Sequence, residues 1–453
     1  MNNRTPLYTA LERHAAEGRV SLHTPGHKGC APALEKLSLA LDLTELPDTD
    51  ALYEAEGVIA EAERLATALF CADGTVFSAG GCSLAIQAML RCCCGEGDRI
   101  IMDRGSHRMA VNAAALLGLE PVWLMSEREW GEDGLCPLPC AADVERLLAA
   151  HPDAAAVYIT SPDYMGRMCD IAAISAVCSA RDVPLLVDNA HGSHLIAFDD
   201  LHPLRRGASM TACSAHKTLP VLTGGAFLSS ADPKLSCRMK GAMSLFGSTS
   251  PSYLIMASLD LCRAWLQEEG TAALRRTAAL CEDIRTAAVQ AGFGLPDGEC
   301  DPMRVTLLTR SAGISGNAAA QLLREAGFEP EYADDACVVL LPTPFVTDDQ
   351  MARLKEAVAS LTDNRTQTEY PALPPIAEII SAARGSERAM PLRAAALARR
   401  ETVDTAASVG RTAAVPVCPC PPGVPVVMPG ERICETCARL LLAMGVDKVE
   451  CVS

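Results

Sequence analysis

The sequence has no uninterrupted apolar run of about 18 residues, the length a helix needs to cross a membrane. Its opening stretch also lacks the apolar centre of a secretory signal. Together these absences give the expectation of a cytoplasmic protein. Basic charge is scarce as well: 39 Lys and Arg stand against 56 Asp and Glu, for a net charge of −17. Phosphate contacts need a basic surface, so nucleic acid is not expected as a main partner. No repeat of useful period is present, which argues against a solenoid.

Cysteine, by contrast, is plentiful, with 21 residues. A chain without an export signal keeps its cysteines as thiols. Cys92, Cys93 and Cys94 are adjacent, which does not suit a disulfide framework, and most cysteines read as small buried hydrophobes. Cys418-x-Cys420 with Cys434-x-x-Cys437 has the makings of a four-thiolate zinc site. The plainer reading makes Cys420 an ordinary member of a Pro-rich loop, and no metal is assigned.

The 453 residues are too many for one core. From about 75 to 230, short apolar runs alternate with helical patterns. The runs are Arg99–Met102, Pro121–Leu124, Ala155–Ile159, Pro184–Val187, Met210–Cys213 and Gly225–Leu228. Such alternation predicts an α/β unit with a mostly parallel sheet. Ligands bind such sheets at the carboxyl ends of the strands. A second α/β region is expected over 266–362 and a third unit over 376–453, joined by a polar, Pro-containing linker over 363–375. The first unit then spans 1–265.

Lys217, in Ser214-Ala-His-Lys-Thr218, directly follows a strand-like run. Taken alone it reads as a solvated loop lysine. In a water-poor site it would instead offer a neutral amine for a Schiff base. Upstream, the apolar strand Pro184–Val187 ends in Asp188, followed by Asn-Ala-His191-Gly192. A carboxylate there suits the protonated ring nitrogen of pyridoxal 5'-phosphate (PLP), although an Asp after a strand also commonly caps a helix. Further upstream, Gly80-Gly81-Cys82-Ser83 opens a helical pattern, where backbone N–H groups and the helix dipole hold phosphate. Ser214 and His216 are further phosphate donors. His107 follows the strand Arg99–Met102, where a ring is able to stack on a cofactor face.

At this point the chain resembles the Orn/Lys/Arg decarboxylase family of fold-type-I PLP enzymes, in its compact form without an N-terminal wing domain. The resemblance rests on Thr24-Pro-Gly-His-Lys-Gly29, Asp42-Leu-Thr-Glu-Leu with Asp50-Ala-Leu, and Ser161-Pro-Asp-Tyr-Met-Gly166 with Asp170. It continues through Asp188–Gly192, Ser214–Thr218, Thr249-Ser-Pro-Ser-Tyr253 with Ala257-Ser-Leu-Asp260, Pro421-Pro-Gly-Val-Pro425 and Pro429-Gly-Glu431. It implies an aspartate-aminotransferase-like α/β fold with a small α/β domain and a C-terminal α+β domain. The implied reaction is decarboxylation of arginine, lysine or ornithine.

Residue by residue, the resemblance implies that Lys217 carries PLP and Asp188 pairs with its ring nitrogen. His191 then lies near the ring oxygen or the aldimine, and His107 stacks on the ring. Gly81, Cys82, Ser83, Ser214 and His216 hold the phosphate. Ser248 or Thr249 reaches the phosphate of a neighbouring subunit in a homodimer. Glu431 or Asp163 meets the distal cation of the substrate. Several positions depart from the family pattern: Cys82 in the phosphate loop, Asn189 in place of Glu, Tyr53 near a histidine position, and Cys420 in place of Tyr.

Two rival readings are weighed beside this one. Arg304 and Arg310 in the second region suit an aminotransferase or lyase that binds the substrate's carboxylate. The thinned phosphate loop suits a non-catalytic regulatory subunit.

Overall fold

A computed structural model describes residues 16–128, 135–362, 376–418 and 424–453. A short strand, β1 (Val20–Leu22), precedes the main sheet. That sheet is built from β2 (Gly74–Ser78), β3 (Arg99–Asp103), β4 (Glu120–Leu124), β5 (Ala156–Thr160), β6 (Leu185–Asp188), β7 (Met210–Cys213) and β8 (Ala226–Ser230). Its order is β2-β8-β7-β6-β5-β3-β4. All neighbours pair in parallel except β8, which is antiparallel to both β2 and β7. The mostly parallel expectation therefore holds. The six apolar runs lie within a residue or two of the strands observed.

The central strands are buried on both faces, as their unbroken apolar runs require. Ile100, Ile101 and Met102 are fully covered, as are Leu186 and Val187. Helices supply the cover. The Gly81–Cys93 helix packs Leu84, Ala85, Ala88 and Met89 on one face of the sheet, with the Arg108–Leu117 helix beside it. Ile171, Ile174 and Cys178 of the Ile171–Ser179 helix cover the other face.

Beyond the main sheet lie three smaller sheets among the described residues. Strands β9 (Val305–Leu308), β11 (Tyr332–Ala333) and β12 (Cys337–Leu340) form an antiparallel three-stranded sheet in the order β11-β12-β9. The preceding strand β10 (Phe328–Pro330) pairs in parallel with β1. Near the C-terminus, β13 (Arg400–Asp404) and β14 (Lys448–Val452) form an antiparallel pair packed with the Glu435–Ala443 helix.

The β1–β10 pairing joins segments more than three hundred residues apart in sequence, and no local pattern announces it. The α-helix Thr271–Gln290 is preceded by a wider π-turn, Leu266–Gly270. No described helix is long and apolar enough to cross a membrane.

Candidate functional site

Strands β2, β3, β5, β6 and β7 run in one direction, so the segments after them gather along one sheet edge. β2 leads to Gly81, β3 to His107, β5 to Tyr164, β6 to Asp188 and His191, and β7 to Lys217. This is the edge where open α/β sheets bind ligands.

Lys217 sits on the short helix Ala215–Thr218. Its Nζ lies 3.2 Å from Nε2 of His191. On the other side of that imidazole, Arg304 Nη2 donates to Nδ1 at 3.0 Å. A guanidinium has no acceptor, so Nδ1 must be the unprotonated nitrogen. Burial, then the charges of Lys217 and Arg304, hold His191 well below its ordinary value, so the ring is neutral. Its single proton therefore rests on Nε2 and points at Lys217. A donor on that side needs a lone pair to receive it, and only the neutral amine has one. Burial lowers the Lys217 ammonium in the same direction, with Asp188 opposing.

Asp188 closes β6 and is 1% exposed. Tyr158 of β5 donates its hydroxyl to Oδ2 at 3.1 Å, and the Ala190 N–H donates to Oδ1 at 3.1 Å. Burial raises the Asp188 carboxyl, and Lys217 counteracts it. The pair thus places a carboxyl group held by two hydrogen bonds and the Lys217 amine together in one water-poor edge.

The Gly81–Cys93 helix supplies the third part. Gly81 adopts φ +72, a left-handed conformation that favours glycine, and its N–H donates to the Gly224 carbonyl at 2.7 Å. The N-cap, Gly80, gives no side-chain cap, so the N–H groups of the first turn, at Cys82 and Ser83, stay available to an anion. Cys82 is buried, and burial followed by the nearby Asp188 carboxylate raises its thiol well above the ordinary value. It is therefore a neutral thiol here.

Ser214 is buried, with its Oγ 3.3 Å from His216 Nδ1, which also lies 3.2 Å from the Gly225 carbonyl. His107 caps the Arg108–Leu117 helix by accepting from the Met109 N–H. Burial lowers it, and Asp188 and Lys217 are close enough to act on its charge. Ser248 and Thr249 sit exposed on the loop before the Tyr253–Trp265 helix. In the single chain they belong to the surface rather than to the buried Lys217 group.

The two carboxylates expected to meet a distal cation have other partners. Glu431 is gripped by Arg104 through two hydrogen bonds of 2.8 and 2.6 Å, with both side chains buried. It also accepts from the Met428 N–H at 2.8 Å. Asp163 accepts from the Arg167 side chain at 2.8 Å and from the Arg167 N–H at 2.8 Å. Arg310 is exposed, whereas Arg304 is 2% exposed. Cys420 lies outside the described residues, and no cluster of three or more potential metal ligands occurs among the described ones.

Four contributors were not singled out from the sequence as site residues. Tyr158 holds Asp188. Tyr164 stacks edge-on against His191, with ring centroids 5.3 Å apart. Glu331 accepts from the Tyr164 hydroxyl at 3.3 Å and from the Thr24 N–H at 2.7 Å. Lys28 donates to the His23 carbonyl. Burial pushes its ammonium down to about 7, with Glu331 opposing. The N-terminal motif around Lys28 carried family information but no role. Its role is to strap the site: the Gly26 N–H donates to the His216 carbonyl at 2.7 Å, and Thr343 Oγ1 donates to the Gly26 carbonyl at 2.9 Å.

This set suits a flat aldehyde cofactor with a basic ring nitrogen and a phosphate. It offers a neutral amine, a buried carboxylate and an uncapped helix N-terminus.

The Orn/Lys/Arg decarboxylase major-domain model matches residues 5–293, and the C-terminal-domain model matches 387–446. Arginine decarboxylase of Bacillus subtilis is 32% identical over 461 residues, covering 95% of this chain and 91% of that protein. Arginine decarboxylase of Bacillus anthracis is 30% identical, with the same coverage of 95% and 91%. The crystal structure of the Francisella novicida lysine decarboxylase LdcF superposes with a TM-score of 0.74 at 17% identity, covering 95% of this chain and 78% of that one. The fold is that of the fold-type-I enzymes, and the chain belongs to the Orn/Lys/Arg decarboxylase family.

Proposed function

We propose that the protein is a PLP-dependent decarboxylase of a basic amino acid, with arginine the first substrate to test, giving the corresponding amine and CO2. The observation that carries this reading is the Arg304–His191–Lys217 chain beside buried Asp188. Arginine is favoured over lysine and ornithine because two relatives matched over nine-tenths of their length are named arginine decarboxylases.

PLP, when bound, supplies a conjugated ring that accepts the electron pair left when a carboxylate departs as CO2. The protein's own groups would prepare and use that ring. Lys217 offers its neutral amine to the aldehyde, and the His191 Nε2–H orients that amine. Asp188, held by Tyr158, keeps a negative charge for the ring nitrogen. The first-turn N–H groups of Cys82 and Ser83, with Ser214 and His216, would receive the phosphate. His107 would lie against the ring. Lys217 or His191 would return the proton to Cα.

Glu331 would be the carboxylate that meets a distal guanidinium. It lies between Tyr164 and the Lys28 strap, near enough to act on the charge of Lys217. The Ser248–Thr249 loop would act across a homodimer in the cytoplasm.

Arg304 favours a second reading, in which the guanidinium holds the substrate's carboxylate and the reaction retains it, as in an aminotransferase. One assay separates the two. The protein is incubated with PLP and arginine, lysine or ornithine, and the products are analysed. Release of CO2 with the amine supports decarboxylation. A keto acid without CO2 supports the second reading, and no CO2 from any of the three substrates defeats the first.

A further inference from the structure

The C-terminal unit holds a pair of thiols that the Lys217 site does not use. Cys434 is the N-cap of the Glu435–Ala443 helix, and its Sγ accepts from the Cys437 N–H at 3.3 Å. The two sulfurs lie 3.3 Å apart. A disulfide bond is about 2.05 Å long, so closure needs a movement of only roughly 1 Å. The two members differ in access: Cys434 is exposed, whereas Cys437 is fully buried. The exposed thiols Cys30, Cys71 and Cys237 have no such sulfur neighbour among the described residues.

We propose that Cys434 and Cys437 form a reversible dithiol–disulfide site, in which Cys434 attacks a small-molecule disulfide and Cys437 resolves the adduct. A sulfur at a helix N-terminus is stabilised as thiolate by the first-turn N–H groups. Burial raises the Cys434 thiol, but the Cys437 N–H, the Cys437 thiol and the Thr436 N–H overcome it, and it titrates below its ordinary value. Cys437 is pushed up to about 11 by burial and by its neighbour, which suits a resolving thiol that stays protonated until needed.

The chemistry balances. The Cys434 thiolate attacks one sulfur of RSSR, forms a mixed disulfide and expels RS⁻. Cys437 then gives its proton to solvent, attacks Cys434 Sγ and expels the second RS⁻. Two electrons pass from the protein dithiol to RSSR, which leaves as two thiols. Two thiolates make only half of a tetrahedral zinc site, and no third metal ligand joins them among the described residues.

The test uses the full chain in glutathione/glutathione-disulfide buffers, with free thiols then alkylated and the digest weighed. In the wild type, the peptide carrying Cys434 and Cys437 should lose two hydrogens and regain them on reduction. Cys437→Ala should stop at glutathione bound to Cys434, formed on the order of tenfold faster than on Cys71 or Cys237 in the same molecule. Cys434→Ser keeps a good N-cap and should give neither product. The proposal fails if Cys434 reacts no faster than those two exposed thiols, or if the wild type never closes the bridge. It also fails if the pair resists alkylation until a chelator is added, since the thiols would then be metal ligands.

Discussion

Arg304 Nη2 donates to His191 Nδ1 at 3.0 Å, and this one contact sets which nitrogen of the imidazole faces Lys217. Replacing Arg304 with Met frees the ring to adopt either tautomer and removes a positive charge that lowers Lys217. The Lys217 ammonium should then titrate at a higher pH. Its neutral form predominates only above that value, so the pH at which added PLP is captured should rise. The visible absorbance of lysine-bound PLP, followed across pH in wild type and Arg304→Met, measures the shift. An unchanged midpoint would remove Arg304 from this role. The lost hydrogen bond should also lower stability by about 1–3 kcal/mol, because a buried acceptor is left without its donor.

Gly26 has a packing reason to be glycine. A Cβ there would lie 2.6 Å from the Thr218 backbone carbon and 2.7 Å from the Leu219 nitrogen. Both are main-chain atoms of the turn that carries Lys217, so neither yields cheaply. Gly26→Ala should push the strap away from the Ala215–Thr218 helix, at a cost of about 1–3 kcal/mol. Urea denaturation measures the loss, and a PLP titration should show weakened capture. Wild-type behaviour in both would mean that the strap does not position Lys217.

Much of this site was legible because its parts follow strands in chain order. The apolar run ending at Asp188 and the run before Lys217 are local patterns, and parallel pairing brings their ends together without further information. The first turn at Gly81–Ser83 is legible for the same reason. Glu331 and Lys28 were not, since their positions depend on the β1–β10 pairing between distant segments. Tyr158 was hidden because an aromatic residue inside a buried strand looks like core until its hydroxyl is seen to reach Asp188. Glu431 misled in the opposite direction. A carboxylate in a family motif suggests substrate binding, but its partner, Arg104, lies 327 positions away in the chain.

That Arg104–Glu431 pair should behave as a buried structural clamp. Arg104 also donates to the Pro425 and Val426 carbonyls, which ties the end of β3 to the C-terminal segment. Glu431→Gln or Arg104→Met alone leaves an unpaired buried charge, and each should cost about 3–5 kcal/mol. Arg104→Met with Glu431→Gln together should cost less than the sum of the two single losses, because no buried charge is then left unpaired, although the Pro425 and Val426 carbonyls still lose their donor. Guanidinium denaturation midpoints of the two single variants and the double variant test this. Additive losses in the double variant would show that the residues act independently.

His202 should contribute to the acid sensitivity of the fold. It is fully buried, its Nδ1 accepts from the Leu204 N–H at 3.4 Å, and its Nε2 faces Cys213 Sγ at 3.6 Å. Burial, and then Arg205, push it down to about 3 from an ordinary value of 6.5. The unfolded chain therefore takes up a proton below 6.5 that the folded chain refuses until about 3. Stability from this group is intact above 6.5 and is lost as the pH falls through that window, on the order of 5 kcal/mol in full. His202→Asn retains an acceptor for Leu204 and cannot be protonated. It should be less stable than wild type near neutrality, and the gap should narrow steadily on acidification. Urea midpoints of the two proteins, compared between about pH 7 and about pH 4, measure the gap. A gap that stays constant over that range would show that His202 is protonated as easily in the folded chain as in the unfolded one.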